Sequence, residues 1–233
     1  MRLCVIPARG GSKRIPRKNI KNFFGQPMIA YSIKAALKSE CFDHVIVSTD
    51  DAEIAEVAQS FGAEVPFMRP DELANDYAGT VPVIKHAIEW LDDQGRSPSE
   101  VCCLYATAPF VRAGAIRKAY EQMQSTQADY CFTATSFAFP IQRAIKVTAE
   151  NRIEMFYPEH LETRSQDLEE SYHDAGQFYW GKAEAFKQKK PLFSKNSTPY
   201  ILPRQLVQDI DTPEDWKRAE LMYQVLKKSG EMD

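Results

Sequence analysis

The chain has 233 residues, 44% of them hydrophobic, and a formal net charge of −3. That is enough apolar material for one large α/β domain, with or without an added lobe, and too little positive charge for general nucleic-acid binding. No apolar run approaches the ~18 residues that span a bilayer, and Arg9 interrupts the N-terminal region before a signal-peptide core develops, so a cytoplasmic protein is expected.

Leu3 to Ile6 is an apolar run that reads as a buried strand. It ends at Pro7 and opens into a loop holding Ala8, Gly10, Gly11, Ser12, Asn19 and five cations: Arg9, Lys13, Arg14, Arg17 and Lys18. A short glycine-rich loop after a first strand exposes backbone N–H groups that can cradle phosphate oxygens. Arginine adds forked donors and lysine a point charge. Such a loop suits a polyanion, and a nucleoside triphosphate is the natural candidate, although basic loops are also common surface features. A G-x-G-x-x-G dinucleotide fingerprint is absent, and Gly10-Gly11-Ser12-Lys13 has the wrong order and spacing for a P-loop.

Pro27 to Lys38 carries Ile29, Ile33, Ala36 and Leu37 at helical spacing. Val45-Ile46-Val47 is a short buried strand. It runs into Ser48-Thr49-Asp50-Asp51, which can cap the next helix, with Glu53 three residues after Asp50. That helix presents Ile54, Val57, Ala58 and Phe61, and Gly62 closes it. Glu64 to Met68 reads as a third strand, Thr80 to Leu91 as a helix, Val101 to Tyr105 as a fourth strand, Ala113 to Gln124 as a helix and Tyr130 to Thr135 as a fifth strand. Such alternation predicts an α/β fold, a mainly parallel sheet with helices on both faces. Ligands then bind beyond the carboxyl ends of the strands, among the loops after Ile6, at Ser48–Asp51, at Arg69–Thr80 and at Ala106–Arg112.

The rhythm breaks over about 137–171. Ala144–Thr148 and Arg152–Phe156 read as two short strands joined at Glu150-Asn151, and a polar stretch with Arg164, Gln166 and Asp167 follows. This segment buries itself poorly, so it is expected to be a lobe inserted into a single domain spanning 1–233; a loose surface loop is the alternative. The chain returns through Gly176–Trp180, a short helix at Lys182–Gln188, and strand-like Tyr200–Leu202 and Leu206–Ile210. Thr212 then serves as N-cap, Pro213 as first helical residue and Asp215 as third, ahead of an apolar face of Trp216, Ala219, Tyr223 and Leu226.

The cysteines, Cys4, Cys41, Cys102, Cys103 and Cys131, show no C-x-x-C spacing and read as buried thiols. His44, His86, His160 and His173 form no metal-ligand pattern. Asp209 and Asp211, at i and i+2 on a strand end, would share a face while Ile210 turns to the core. Such a pair is costly without a cation between its members, and magnesium takes one or two carboxylates plus substrate phosphates. The alternative is that Asp211 only assists the helix cap and Asp209 is solvated.

IPARGGSKRIPRKNI resembles the nucleotide loop of the CMP-nonulosonic acid synthetases, the acylneuraminate cytidylyltransferase family that activates nine-carbon acidic sugars. The resemblance continues in order through STDDAEIAEVA, RPDELANDYAGT, Arg164-Ser165-Gln166 and QDIDTPEDW. SKRIPRKN and YHDAGQFYW look like the pseudaminic acid branch; acylneuraminate members usually carry a small residue in place of Arg14 and N-G-A near Asp174-Ala175-Gly176. The resemblance implies a three-layer α/β/α nucleotidyltransferase that joins CTP to an acidic sugar, releases pyrophosphate, uses Mg2+ and forms a homodimer through the 137–171 lobe. Its product would serve surface-glycan or flagellin glycosylation.

Residue by residue, the resemblance implies that Arg9, Ser12 and Lys13 hold the triphosphate, with Ala8, Gly10, Gly11 and Thr80 around the nucleotide. Lys18 and Asn19 would contact phosphate, ribose or base, and Arg69 would lie against the cytosine. Asp209 and Asp211 would ligate Mg2+, and Arg9, Lys13, Lys18 and Asp211 would be catalytic. Arg164, Gln166, Gln177, Phe178 and Tyr179 would belong to the sugar side. The family often has glutamine where Tyr105 precedes Ala106-Thr107-Ala108-Pro109, so sugar contacts do not transfer one for one. No histidine is placed as a general base, and metal-assisted deprotonation of the attacking hydroxyl is expected. Other sugars remain in play: N-acylneuraminate, legionaminate and Kdo. A non-catalytic nucleotide sensor could dispense with the Asp209/Asp211 pair, and a dinucleotide oxidoreductase lacks its glycine fingerprint.

Overall fold

The structure, a computed structural model, describes residues 1–75 and 78–232. β1 (Arg2–Pro7) runs into the basic loop, after which β2 (Asn22–Phe23) and β3 (Gln26–Pro27) form a small hairpin. The chain then alternates through α1 (Met28–Ser39), β4 (His44–Ser48), α2 (Ala52–Ser60), α3 (Thr80–Asp93), β5 (Glu100–Leu104), α4 (Ala113–Thr126) and β6 (Tyr130–Ser136). β7 (Ile145–Val147) and β8 (Ile153–Met155) pair with each other apart from the main sheet, and β9 (Tyr172–Lys182), α5 (Ala183–Lys187), β10 (Ser197–Ile201) and α6 (Pro213–Lys228) complete the chain.

The main sheet has six strands in the order β10-β6-β9-β5-β1-β4. β1 is parallel to β4 and β5, and β10 is parallel to β6. β9 alone runs antiparallel, between β5 and β6. Its chain re-enters from the 137–171 segment rather than through a helical crossover, which a parallel neighbour would need.

Alternation along β1 builds two cores. Leu3 and Val5 pack with Ile84 and Ile88 of α3 and Phe186 of α5. Cys4 and Ile6 face the other way, onto Ile29 and Ile33 of α1, Ile54 of α2 and Ile116 of α4. The result is the expected α/β/α layering. A third cluster, with Phe23, Phe110, Trp216 and Tyr223, seats α6. Thr212 caps α6 reciprocally with Asp215, with Pro213 at its start. All five cysteines are free and buried, as their context predicts.

The structure corrects three sequence expectations. Glu64–Met68 is not a continuous strand: it makes isolated bridges, Ile46–Glu64 on β4 and Thr49–Met68 just beyond it. Pro66 lacks the N–H that a ladder needs there. Leu206–Ile210 is not a strand either. Arg204–Leu206 is a 3-10 turn, and side chains rather than a neighbouring strand satisfy the following carbonyls: Gln177 Nε2 donates to Leu206 O at 2.5 Å, and Lys18 Nζ to Ile210 O at 2.7 Å. Finally, Asp51 rather than Asp50 caps α2, accepting the Ile54 amide at 3.0 Å.

The β7–β8 hairpin turns at Asn151, whose φ of 55° is in the left-handed region that asparagine tolerates. Its Ile145, Val147 and Ile153 are more than half exposed. Among the described residues, no helix is long and apolar enough to cross a membrane.

Candidate active site

The basic loop is folded tightly onto the end of the sheet. Ala8 N donates to Ser48 O at 2.9 Å, extending the β1–β4 pairing. Asn19 is buried and its Nδ2 donates to Arg9 O at 2.9 Å, so it fastens one arm of the loop to the other. Gly10 N donates to Asp50 Oδ1 at 3.0 Å. A side chain at Gly10 would put its Cβ 2.7 Å from Asp51 Oδ2, so glycine is required by that close approach.

The loop encloses a cavity of about 270 Å3 at the carboxyl ends of β1 and β5, where doubly wound sheets bind ligands. Arg9, Ser12, Lys13, Arg14, Lys18 and Asn19 line it on one side; Arg69, Thr80, Tyr105 and Asp211 complete it. Arg69 is buried, donating from Nε to Ser48 Oγ at 3.1 Å and from Nη2 to Ser48 O. Burial, with a smaller push from Arg9, holds its pKa down to about 10, so it is still a cation at neutral pH. Thr80, the first residue of α3, places its Oγ1 3.1 Å from the Tyr105 hydroxyl.

Asp211 is held by two loop cations. Lys18 Nζ lies 3.2 Å from Oδ1, and Arg14 Nη2 lies 2.7 Å from Oδ2. Asp209 faces a second cavity, of about 770 Å3. Burial raises its pKa, and the neighbouring Asp211 charge adds to the shift. Among the described residues, no three or more His, Cys, Asp or Glu side chains form a metal cluster. Asp209 and Asp211 are not on a strand and line different cavities, so the shared face expected of them is not formed. The Asp211 carboxylate beside a cationic loop, with Asp209 two residues away, fits Mg2+ brought in on a polyphosphate and not a metal caged by protein alone.

The second cavity shares Tyr105 and Thr107 with the first, and Asp174, Tyr179, Arg204 and Arg218 also line it. The Tyr179 hydroxyl donates to Asp174 Oδ2 at 2.5 Å, and Gly176 N donates to Asp174 Oδ1 at 2.9 Å. Burial, reinforced by Tyr105 and Asp174, pushes the Tyr179 hydroxyl far above its ordinary range, so it stays protonated.

Of the residues singled out in the sequence, Arg9, Ser12, Lys13, Lys18, Asn19, Arg69, Thr80 and Asp211 meet at the first cavity. Ala8, Gly10 and Gly11 shape the loop without lining it, while Tyr179 and Asp209 line the second cavity. Gln177 is buried against Leu206. Phe178 is fully buried in the core on the opposite face of β9 from Tyr179, as strand alternation requires, so it backs the sheet and lines neither cavity. Arg164 and Gln166 also line neither; Arg164 is exposed and pairs with Asp167 at 2.7 Å. Asp76 and Tyr77 of the RPDELANDYAGT motif lie outside the described residues. Sequence reasoning missed Asp174, Arg204 and Arg218 as cavity residues, and it saw Asp50 only as a helix cap. The signal for Asp50 was the placement of two acids directly after a buried strand.

A family model for cytidylyltransferases matches residues 3–228. Over 228 residues, 98% of each chain, the sequence is 48% identical to the pseudaminic acid cytidylyltransferase of Campylobacter jejuni. It is 31% identical to the CMP-N,N'-diacetyllegionaminic acid synthase of Legionella pneumophila, over 96% of each chain. A solved CMP:2-keto-3-deoxy-manno-octonic acid synthetase complexed with CTP shares the fold at a TM-score of 0.70 and 18% identity, covering 97% of this chain and 99% of that one. The 4-diphosphocytidyl-2C-methyl-D-erythritol synthase of Anaerococcus prevotii shares it at a TM-score of 0.67 and 12% identity, over 96% of each chain.

Proposed function

The chain belongs to the cytidylyltransferase family, and we propose that it joins CTP to an acidic nine-carbon sugar, pseudaminic acid, to give the CMP-sugar and pyrophosphate. The observation that carries this reading is the shared wall. The cationic cavity and the larger polar one meet at Tyr105 and Thr107, so a triphosphate on the loop and a sugar beside Asp174 would lie end to end. The choice of sugar is supported by the 48% identity to the C. jejuni relative, against 31% for the legionaminate enzyme.

Nucleotidyl transfer needs positioning and charge neutralisation more than covalent help from the protein. The sugar's anomeric hydroxyl attacks the α-phosphorus and the bond to pyrophosphate breaks. Arg9 and Lys13 meet the charge that grows on the leaving group. Lys18 holds Asp211 in register with the loop. Asp209 and Asp211 would hold Mg2+, which when bound supplies charge neutralisation and lowers the pKa of a nearby hydroxyl.

A homodimer is part of this reading. The apolar faces of Val147, Ile153 and Phe156 on the 137–171 segment stand exposed, and a second copy would cover them. CTP is a cytoplasmic metabolite, which places the reaction there, and the CMP-sugar suits a downstream glycosyl transfer to surface glycan or flagellin. Pyrophosphate release measured across four nucleoside triphosphates and a panel of acidic sugars tests the proposal. CTP with pseudaminic acid should give the highest kcat/KM, and release with UTP or a neutral sugar as the best pair would overturn it.

A further inference from the structure

Arg17 is the one cation of the loop that does not line the nucleotide cavity. Its guanidinium turns onto the start of α2 instead. Nη1 pairs with Asp51 Oδ2, while Nη2 lies 2.9 Å from Asp51 Oδ1 and 2.5 Å from Glu53 Oε2. The residue sits at φ +55°, a left-handed conformation that is unfavourable for a long side chain and persists where surrounding contacts hold it. The other arm of the loop hangs on the same place, through Gly10 N to Asp50 Oδ1 at 3.0 Å and the close approach of Gly10 to Asp51. Both arms are therefore fastened to two consecutive aspartates at the end of β4. The next residue, Lys18, points the opposite way, to Asp211 and the Ile210 carbonyl.

We propose that the Arg17–Asp51 pair is a positioning element for the nucleotide: it fixes the loop backbone so that Lys18 and the Gly10 arm face the triphosphate, and it does not touch the nucleotide itself. The physical basis is the forked geometry. An isolated, partly exposed ion pair is worth little in stability, but a bidentate arginine–carboxylate contact fixes orientation, and misplacement of about 1 Å in a binding loop is amplified in rate and affinity. This inference rests on the reading that the cationic cavity takes CTP.

The test uses the full-length chain, with CTP affinity by calorimetry, steady-state kinetics and thermal melting. Arg17→Ala should weaken CTP binding between about 10- and 100-fold, with the sugar KM little changed and the melting temperature nearly constant. Arg17→Lys, which keeps the charge and loses the fork, should fall between wild type and alanine. Asp51→Asn carries the decisive sign. It keeps the α2 cap, since asparagine caps as well as aspartate. As part of a positioning pair it should weaken CTP binding, and the double variant Arg17→Ala/Asp51→Asn should be no worse than the poorer single one. If Arg17 instead reaches the phosphates, removing the competing Asp51 charge should tighten CTP binding, and that result overturns the proposal. Additive losses, or an Arg17→Ala variant that binds CTP like wild type, also overturn it. Failure of the wild-type chain to bind CTP would instead remove the parent reading, and this inference with it.

Discussion

Lys18 and Asp211 stand 193 positions apart in the chain, yet the lysine ammonium lies 3.2 Å from the carboxylate and 2.7 Å from the Ile210 carbonyl. This contact ties the loop after the first strand to the segment before the last helix. It joins the two parts of the site whose charges are opposite, so each fixes the other.

The carboxylate end is tested by Asp211→Asn, which keeps the shape and an oxygen acceptor but removes the charge. Turnover should fall by about 10²–10³-fold, the scale of a lost electrostatic contact at a reacting phosphate. Without nucleotide, stability should change by less than about 1 kcal/mol, because the Lys18 and Arg14 pairs are partly solvent-exposed. Steady-state kinetics in saturating Mg2+ and a thermal melt decide it; near-normal turnover would remove Asp211 from the chemistry.

The loop end is tested by comparing two neighbours. Lys13→Ala should both weaken CTP binding and slow turnover, since in the proposed reaction its charge would meet the leaving group. Arg14→Ala should be milder, because Arg14 is committed to Asp211 at 2.7 Å. Calorimetry with CTP and kcat for each variant make the comparison, and equal effects would mean the loop acts as a generic basic surface.

What the sequence made legible here was local. β1, the punctuation of α6 by Thr212, Pro213 and Asp215, and the turn at Asn151 all depend on residues within a few positions of one another. The basic loop was readable for the same reason. The misreadings came from partners far away in the chain. Leu206–Ile210 looked like a strand because it carries Leu206, Val207 and Ile210 in a short run, but Gln177 and Lys18 take up its carbonyls. Arg17 looked like one of five loop cations with no role of its own, because nothing near it announces Asp51, 34 residues on. Phe178 was grouped with Tyr179 although alternation along a strand sends them to opposite faces.

Acid should weaken the protein through Asp51. The Arg17 hydrogen bonds, helped by the Ile54 amide, hold its pKa down to about 2, below the ordinary 3.8. A depressed carboxylate contributes stability above its unfolded-state pKa and loses it as pH falls through the folded-state value. The contribution is therefore present above about pH 5, and it fades towards pH 2. Asp51→Asn should be less stable than wild type by up to about 1 kcal/mol at pH 7, because the pair is partly solvent-exposed, and the gap should shrink as pH falls from about 5 towards 2. Denaturant unfolding of both proteins across that range checks it, and a gap independent of pH would contradict the assignment.

Gly181→Ala tests the packing of β9. The added Cβ would sit 2.5 Å from Tyr130 Cδ1 and 2.6 Å from Phe186 Cε2, both rings being buried. Rigid aromatic neighbours cannot yield without a backbone shift, so the expected loss is about 1–3 kcal/mol, or roughly 2–4 °C in Tm per kcal/mol for a chain of this size. An unchanged Tm would show that β9 is packed less tightly against β6 and α5 than these distances require.

The sugar's carboxylate separates two sets of arginines. Arg204 and Arg218 line the second cavity within the protomer, whereas Arg164 is exposed and held by Asp167 on the 137–171 segment. If that segment mediates the homodimer, a second copy can bring its Arg164 to the cavity. Arg164→Lys then keeps the charge and loses the bidentate fork, so the sugar KM should rise by about tenfold while CTP affinity stays constant. Arg204→Lys should then be the milder of the two. The reverse order would place carboxylate recognition inside one protomer and leave Arg164 a surface residue. The same assay, run on the parent enzyme with pseudaminic acid and N-acetylneuraminic acid, tests the branch: a higher kcat/KM for N-acetylneuraminate would refute the pseudaminate assignment while leaving the reaction class intact.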